Sequence, residues 1–287
     1  MNIDFPAILT AAVAFVETRR KPAGGFGATP RLPATIEDTY HALRTLDLAR
    51  HYGVVTDGAQ VDPAGNDTLL RYLAERRRTP IGRPRTIFQL LWCCRAAGLP
   101  LDQEEVAESV FARMRLAPSL DDWYYSTKIL MEVLGKTFLP EMPGKQDLAG
   151  LADRGWRGVD EAWMLVFLSR RTRELSLPRP ATELITWFRA SQNGDGGFGF
   201  FPSTTSFIEN CYFCVRALAE LGTGPTNPDG AVRFLAACQT GHGGFGRGLR
   251  AVAFLDATWQ ALATIALLDS MEGDRQPVTK SKEDEHV

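Results

Sequence analysis

The sequence predicts an all-α protein built from six helix pairs, and three observations carry that prediction. Similar stretches recur through the 287 residues at steps of 36 to 49, the period of paired-helix repeats. Each unit combines two runs of different character, one amphipathic and one apolar nearly all round. Alternation of period two, the mark of a half-buried strand, is nearly missing, while Pro and Gly fall between the runs, where helices stop.

The second run of each unit defines the repeat. In chain order these are EDTYHALRTLDL from Glu37, RTIFQLLWCCRAAGL from Arg85, DDWYYSTKILMEVLG from Asp121, DEAWMLVFLSRR from Asp160, ENCYFCVRALAELG from Glu209 and DATWQALATIALLD from Asp256. Five open on an acid, with Arg85 the exception. All six place an aromatic three residues later: Tyr40, Phe88, Tyr124, Trp163, Tyr212 and Trp259. Runs such as AWMLVFL predict buried helices, because no face is left for water. The first runs, such as NDTLLRYLAERRR and QEEVAESVFARMR, keep a polar face and predict an outer layer. Three glycine clusters, Gly24-Gly25-Phe26-Gly27, Gly196-Gly197-Phe198-Gly199 and Gly243-Gly244-Phe245-Gly246, join outer runs to inner ones, and Gln192 and Gln239 stand four residues ahead of the last two. Glycine there admits positive φ and close packing. One domain over 1–270 is expected, followed by a polar, aperiodic and disordered tail, 271–287.

Composition narrows the function classes. With 45% hydrophobic and 23% charged residues and a net charge of −2, the chain reads as globular, and it lacks the positive excess of a protein that neutralises nucleic-acid phosphates. No run is long and apolar enough for a transmembrane segment, and Asp4 stands where a signal peptide has basic residues. A cytoplasmic protein is expected. Five cysteines, two of them adjacent at Cys93-Cys94 within an apolar run, predict reduced core thiols and not a disulfide framework.

Glycine clusters with an upstream glutamine, followed by an acid-x-x-aromatic helix start, resemble the repeats of protein prenyltransferase beta subunits and of squalene and terpene cyclases. The resemblance implies an (α/α)6 toroid: six inner helices closed into a barrel around an apolar cavity, ringed by six outer helices. It also implies that the acids sit at one mouth of that cavity. Taken singly, each acid is explained by the helix N-terminus it complements; five together build an anionic ring.

Three chemistries then compete. Proton-initiated cyclases of this resemblance carry D-x-D-D before an inner helix, and Ser119-Leu120-Asp121-Asp122 keeps the last two acids. This leading reading makes Asp121 the general acid, with Asp122 orienting it, and needs no cofactor. The carboxyl must stay protonated until used, which burial and like charges promote. Tyr40, Trp92, Tyr124, Tyr125, Trp163, Phe167, Tyr212, Phe213 and Trp259, with Asp160, are expected to line the site of an isoprenoid substrate and offer π faces to a migrating cation. The alternative is a zinc-dependent prenyltransferase beta-type subunit with Glu209, Cys211 and Asp256 on the metal and a helical partner subunit. That family holds its diphosphate with basic residues near the helix starts, where this chain has acids; Arg85, Arg247 and Arg250 are the basic residues placed near the mouth. The third reading is a toroid without catalysis that binds an isoprenoid or a protein. His41, on the first inner helix, is a candidate proton partner.

Overall fold

The computed structural model describes residues 3–54, 67–79, 82–116, 119–136, 156–172, 176–177 and 179–273. The six expected inner helices are α2 (Ile36–His51), α4 (Pro84–Ala96), α6 (Leu120–Lys128), α7 (Val159–Ser169), α9 (Ile208–Glu220) and α11 (Leu255–Gly273). Each packs on the next, and α11 returns to α2, so the inner ring is closed. Five helices stand outside it: α1 (Phe5–Glu17), α3 (Asp67–Arg77), α5 (Gln103–Met114), α8 (Ala181–Ala190) and α10 (Pro228–Ala237). Residues 137–155, where the outer helix between α6 and α7 belongs, lie outside the described residues, as do residues 274–287 of the expected tail. The all-α toroid expected from the repeats is the observed fold. A two-residue ribbon, Phe245–Gly246 paired with Ala253–Phe254, is the one pair of strands among the described residues.

Inner and outer helices differ as their sequences require. In α7 every residue from Ala162 to Leu168 is buried, whereas α8 buries Leu184 and Phe188 fully, packs Ala181, Ile185 and Trp187 partly against the core and exposes its other face. The glycine loops lock the outer ring. Gly24, Gly196 and Gly243 have φ of +96°, +90° and +88°. A Cβ on each would lie about 2 Å from the backbone of the next outer helix, at Thr68, Gly230 and Ala11 respectively. Gln192 binds the Gly196 carbonyl at 3.0 Å and the Asn227 carbonyl at 2.8 Å; Gln239 does the same to Gly243 at 2.9 Å and Ile8 at 3.1 Å. The last bond joins the final glycine loop to the first helix, 231 residues away in sequence. Phe26, Phe198 and Phe245 of the three clusters are fully buried between the layers.

Candidate functional site

Repetition fixes how each inner helix faces the barrel axis. Residues at i, i+3, i+4 and i+7 share one helical face, so each acid at the start shares its face with the residues three, four and seven positions on. The rim row is Glu37, Arg85, Asp121, Asp160, Glu209 and Asp256, and all six line one cavity of about 340 Å³. Below them the same cavity meets Tyr40, His41, Phe88, Gln89, Tyr124, Tyr125, Met164, Tyr212, Phe213, Trp259 and Gln260, and it ends at Lys128. Asn210 and Phe200 complete its wall together with Arg247.

Capping does not consume the rim acids of α2 and α6. Thr35 caps α2 through the Asp38 amide at 3.0 Å, and Ser119 caps α6 through the Asp122 amide at 3.2 Å. Glu37 and Asp121 are thereby left to the cavity. The rim is partly neutralised by Arg85, 2.7 Å from Glu37, and Arg247, 3.2 Å from Asp256. Asp121, Asp160 and Glu209 form no ion pair among the described residues, and Asp160 accepts backbone hydrogen bonds at the start of α7. Asp121 is exposed at the rim, yet partial desolvation raises its pKa, and the charges of Asp122 and Asp160 add to that. Burial raises Asp160 as well, and its Oδ1 is buried without a hydrogen-bond partner. Phe200 packs on the start of the same helix: its ring rests where a Cβ on Gly158 would stand, and its carbonyl accepts the Val159 amide at 3.0 Å. His41 is held neutral, its pKa pushed down to about 3 by burial and by Arg85.

The expected site residues divide in two. Tyr40, Tyr124, Tyr125, Tyr212, Phe213, Trp259, Asp121 and Asp160 line the cavity. Trp92, Trp163 and Phe167 stand outside its lining. Trp163 donates to the Tyr124 hydroxyl at 3.0 Å, Phe167 packs edge-on against Tyr124, and Trp92 packs against Tyr40. Asp122 also lies off the lining: its Oδ2 accepts from the Ser119 amide at 3.0 Å and the Ser119 hydroxyl at 2.7 Å, and its Oδ1 is 3.4 Å from Arg113. Its influence on Asp121 is electrostatic. Arg250 is exposed and away from the lining.

The zinc set does not assemble. Glu209 and Asp256 face the cavity, but Cys211 is fully buried behind it, with its thiol pKa raised by burial and its sulfur on the Phe198 backbone amide. Thr39 and Thr258 hold the equivalent places two residues after Glu37 and Asp256, and their hydroxyls accept the Phe26 and Phe245 amides at 3.0 and 2.9 Å. Cys211 therefore does the threonine's work of anchoring a glycine loop. Among the described residues no three His, Cys, Asp or Glu side chains group closely enough to hold a metal ion.

The interior departs from the uniformly apolar tunnel expected of the fold. Seven residues past the rim, the six inner helices contribute Arg44, Trp92, Lys128, Phe167, Arg216 and Ala263. Cations alternate with apolar side chains around the barrel. Arg44 lies over Trp92 and Trp259 at 4.9 and 4.6 Å, Lys128 over Phe88 at 4.7 Å, and Arg216 over Tyr212 at 5.2 Å. One carboxylate serves them. Glu132, on the π-helical turn Ile129–Val133 that continues α6, is 2.6 Å from Lys128 and 3.3 Å from Arg44, and Arg95 donates to its backbone carbonyl. Extending the repeat comparison by one helical turn would have found this row in the sequence.

No helix among the described residues is long and apolar enough to cross a membrane. A comparison with curated proteins returns no match. The family model described as the prenyltransferase alpha-alpha toroid domain matches residues 2–86, 162–227 and 201–283. The interval it leaves holds most of α4 together with α5 and α6, whose inner residues line the same cavity. With the closed ring of inner helices and most of the sequence matched, the chain belongs to the prenyltransferase alpha-alpha toroid family.

Proposed function

We propose that this toroid processes an isoprenoid by proton-initiated cyclisation, with Asp121 as general acid and Asp160 as its partner. The observation that carries the reading is the pair of rim carboxyls, Asp121 and Asp160, that form no ion pair among the described residues, are both shifted toward the protonated form and stand above aromatic walls. The Asp160 charge raises the Asp121 pKa, and such a pair settles into one acid and one base. Asp122 stays in its cap and enters as a nearby negative charge.

The proton passes from Asp121 to a terminal alkene, whose π electrons form the new C–H bond and leave a tertiary cation. An internal alkene closes on that cation with a new C–C bond. A C–H beside the relocated cation then gives its proton to the Asp160 carboxylate, and its electrons form the product alkene. Atoms balance: the product is an isomer of the substrate, and water at the rim returns the proton from Asp160 to Asp121. Glu37, Glu209 and Asp256 favour positive charge at this depth, and Tyr125, Phe213 and Trp259 offer it π faces.

Turnover of polyprenyl substrates in D2O tests this. The product is expected to carry one deuterium at the former terminal alkene, and Asp121→Asn is expected to abolish its formation. An Asp121→Asn enzyme that cyclises at the wild-type rate, or a product free of deuterium, would overturn the assignment.

A further inference from the structure

The wall of the cavity has two halves that differ in kind. One turn below the rim row the six inner helices contribute His41, Gln89, Tyr125, Met164, Phe213 and Gln260, and all six line the cavity. Tyr125, Met164 and Phe213 belong to α6, α7 and α9, which follow one another around the ring. Gln260, His41 and Gln89 belong to α11, α2 and α4, which complete it. One half is therefore largely apolar, and the other is built from hydrogen-bonding groups. Above the polar half the rim is paired, Glu37 with Arg85 and Asp256 with Arg247. The three acids without an ion pair stand above the apolar half. The floor lies beneath both, with Lys128 on the lining and Arg44 and Arg216 behind the rings of Trp259 and Tyr212.

The polar half lacks partners within the protein. Gln89 is 2% exposed, and so is Asn210, on α9 next to α11. Both line the cavity, and neither side-chain amide makes a hydrogen bond with a described residue; Gln260 makes none either. His41 is neutral and has the Glu37 carbonyl beside it, one turn back, but its buried Nδ1 completes no hydrogen bond. Water satisfies such groups while the cavity is open to it. A hydrocarbon that filled the cavity would expel that water and strand them, which is costly. We infer that this half of the cavity binds an uncharged carboxamide-type head group, a primary amide or a lactam, whose flat donor–acceptor edge lies against Gln89 and Gln260, on the helices that flank His41, while its apolar body faces Tyr125, Met164 and Phe213. A glutamine amide presents a donor and an acceptor in one plane, and another amide answers both at once. A carboxylate answers the donors alone and meets the rim acids on entry; an ammonium answers the acceptors alone. A cavity of about 340 Å³ is at the small end for organic ligands, so the head and a short body fill it. That Asp121 protonates the molecule so held rests on the reading above; the amide site stands on the side chains themselves.

Saturation-transfer NMR titration of the full chain with four probes that share one ring tests this. Benzamide is expected to bind about tenfold more tightly than acetophenone, which lacks the donor, and than benzyl alcohol, which answers one atom at a time. Benzoate is expected to bind more weakly still. Gln89→Leu and Gln260→Leu are each expected to weaken benzamide by about tenfold, one hydrogen-bonded contact. Neither is expected to lower the melting temperature, because an apolar side chain of similar size strands no polar group. Benzamide no tighter than the other three probes on the wild-type protein, or bound as well by both leucine variants, would overturn the amide site and leave a wall that holds water only. Asp121→Asn is expected to bind benzamide as the wild type does. In D2O, a prenylated benzamide is expected to be labelled faster than a hydrocarbon of the same chain length; equal rates would refute the amide as the substrate's head. A product without deuterium, with the preference for benzamide intact, would sink the cyclisation and spare the amide site.

Discussion

The two ends of the cavity are built from the same repeat and carry opposite charge. At the rim five carboxylates face two arginines, and Asp121, Asp160 and Glu209 form no ion pair among the described residues. Seven residues further along the same helices, three cations face Glu132. Aromatic rings lie between, so neither layer screens the other as water would. A repeat that copies the helix face once per unit can thus place carboxyls at one level and cations at another, with substitutions confined to two rows. The lesson is that the register within the repeat, more than the repeat itself, specifies chemistry.

Mutations can break that contrast, and the largest effect belongs to the rim. Asp121→Asn is expected to lower kcat by about 10²–10⁴-fold, the usual contribution of a positioned acid, in single-turnover assays on a C10 or C15 substrate. Next comes the floor. Glu132→Gln strips the cation cluster of its counter-charge and is expected to destabilise the fold by about 2–4 kcal/mol in urea titrations. Arg216→Gln is expected to leave stability unchanged or raised, because the remaining cations repel less. Equal losses from both changes would mean that the floor is an ordinary ion-pair network.

A third prediction concerns pH. His41 sits between the two layers with a folded pKa of about 3, below its unfolded value of about 6.5. The neutral imidazole contributes its stability in full above about pH 6.5, and that contribution falls away as acidification protonates the unfolded chain first. Wild type should therefore lose up to about 1.4 kcal/mol more per pH unit than His41→Gln between roughly pH 6 and 4, measured as the difference between their unfolding midpoints. Parallel profiles would show that His41 is hydrated. The smallest effect is expected at Cys211→Thr, within about 0.5 kcal/mol and with activity kept, because threonine already fills this position in two other repeats. A large loss of activity there would return the thiol to the chemistry.

Much of this was legible in the sequence, and the gaps have physical causes. The acid-x-x-aromatic spacing located all six inner helices and the rim row, because helical period and repeat period agree. Asp122 was misplaced since two adjacent residues on a helix point about a quarter-turn apart, and Ser119 held the second carboxylate in a cap. Cys211 was misplaced for the same reason: two positions past an inward acid, a side chain faces the outer layer. The aromatics Trp163 and Phe167 belong to the packing behind Tyr124, a distinction that composition does not make. Arg44, Lys128 and Arg216 lay in plain sight, in step with one another, one turn beyond where the comparison of repeats stopped.

The bond from Gln239 to Ile8 has a mechanical meaning. An open array of repeats frays from its ends and can shed an outer unit while the remainder survives. A ring has no outermost unit. Damage to any single glycine latch is then felt around the whole circumference, and unfolding should proceed as one event, with the first and last helices holding each other as firmly as any neighbours in the chain.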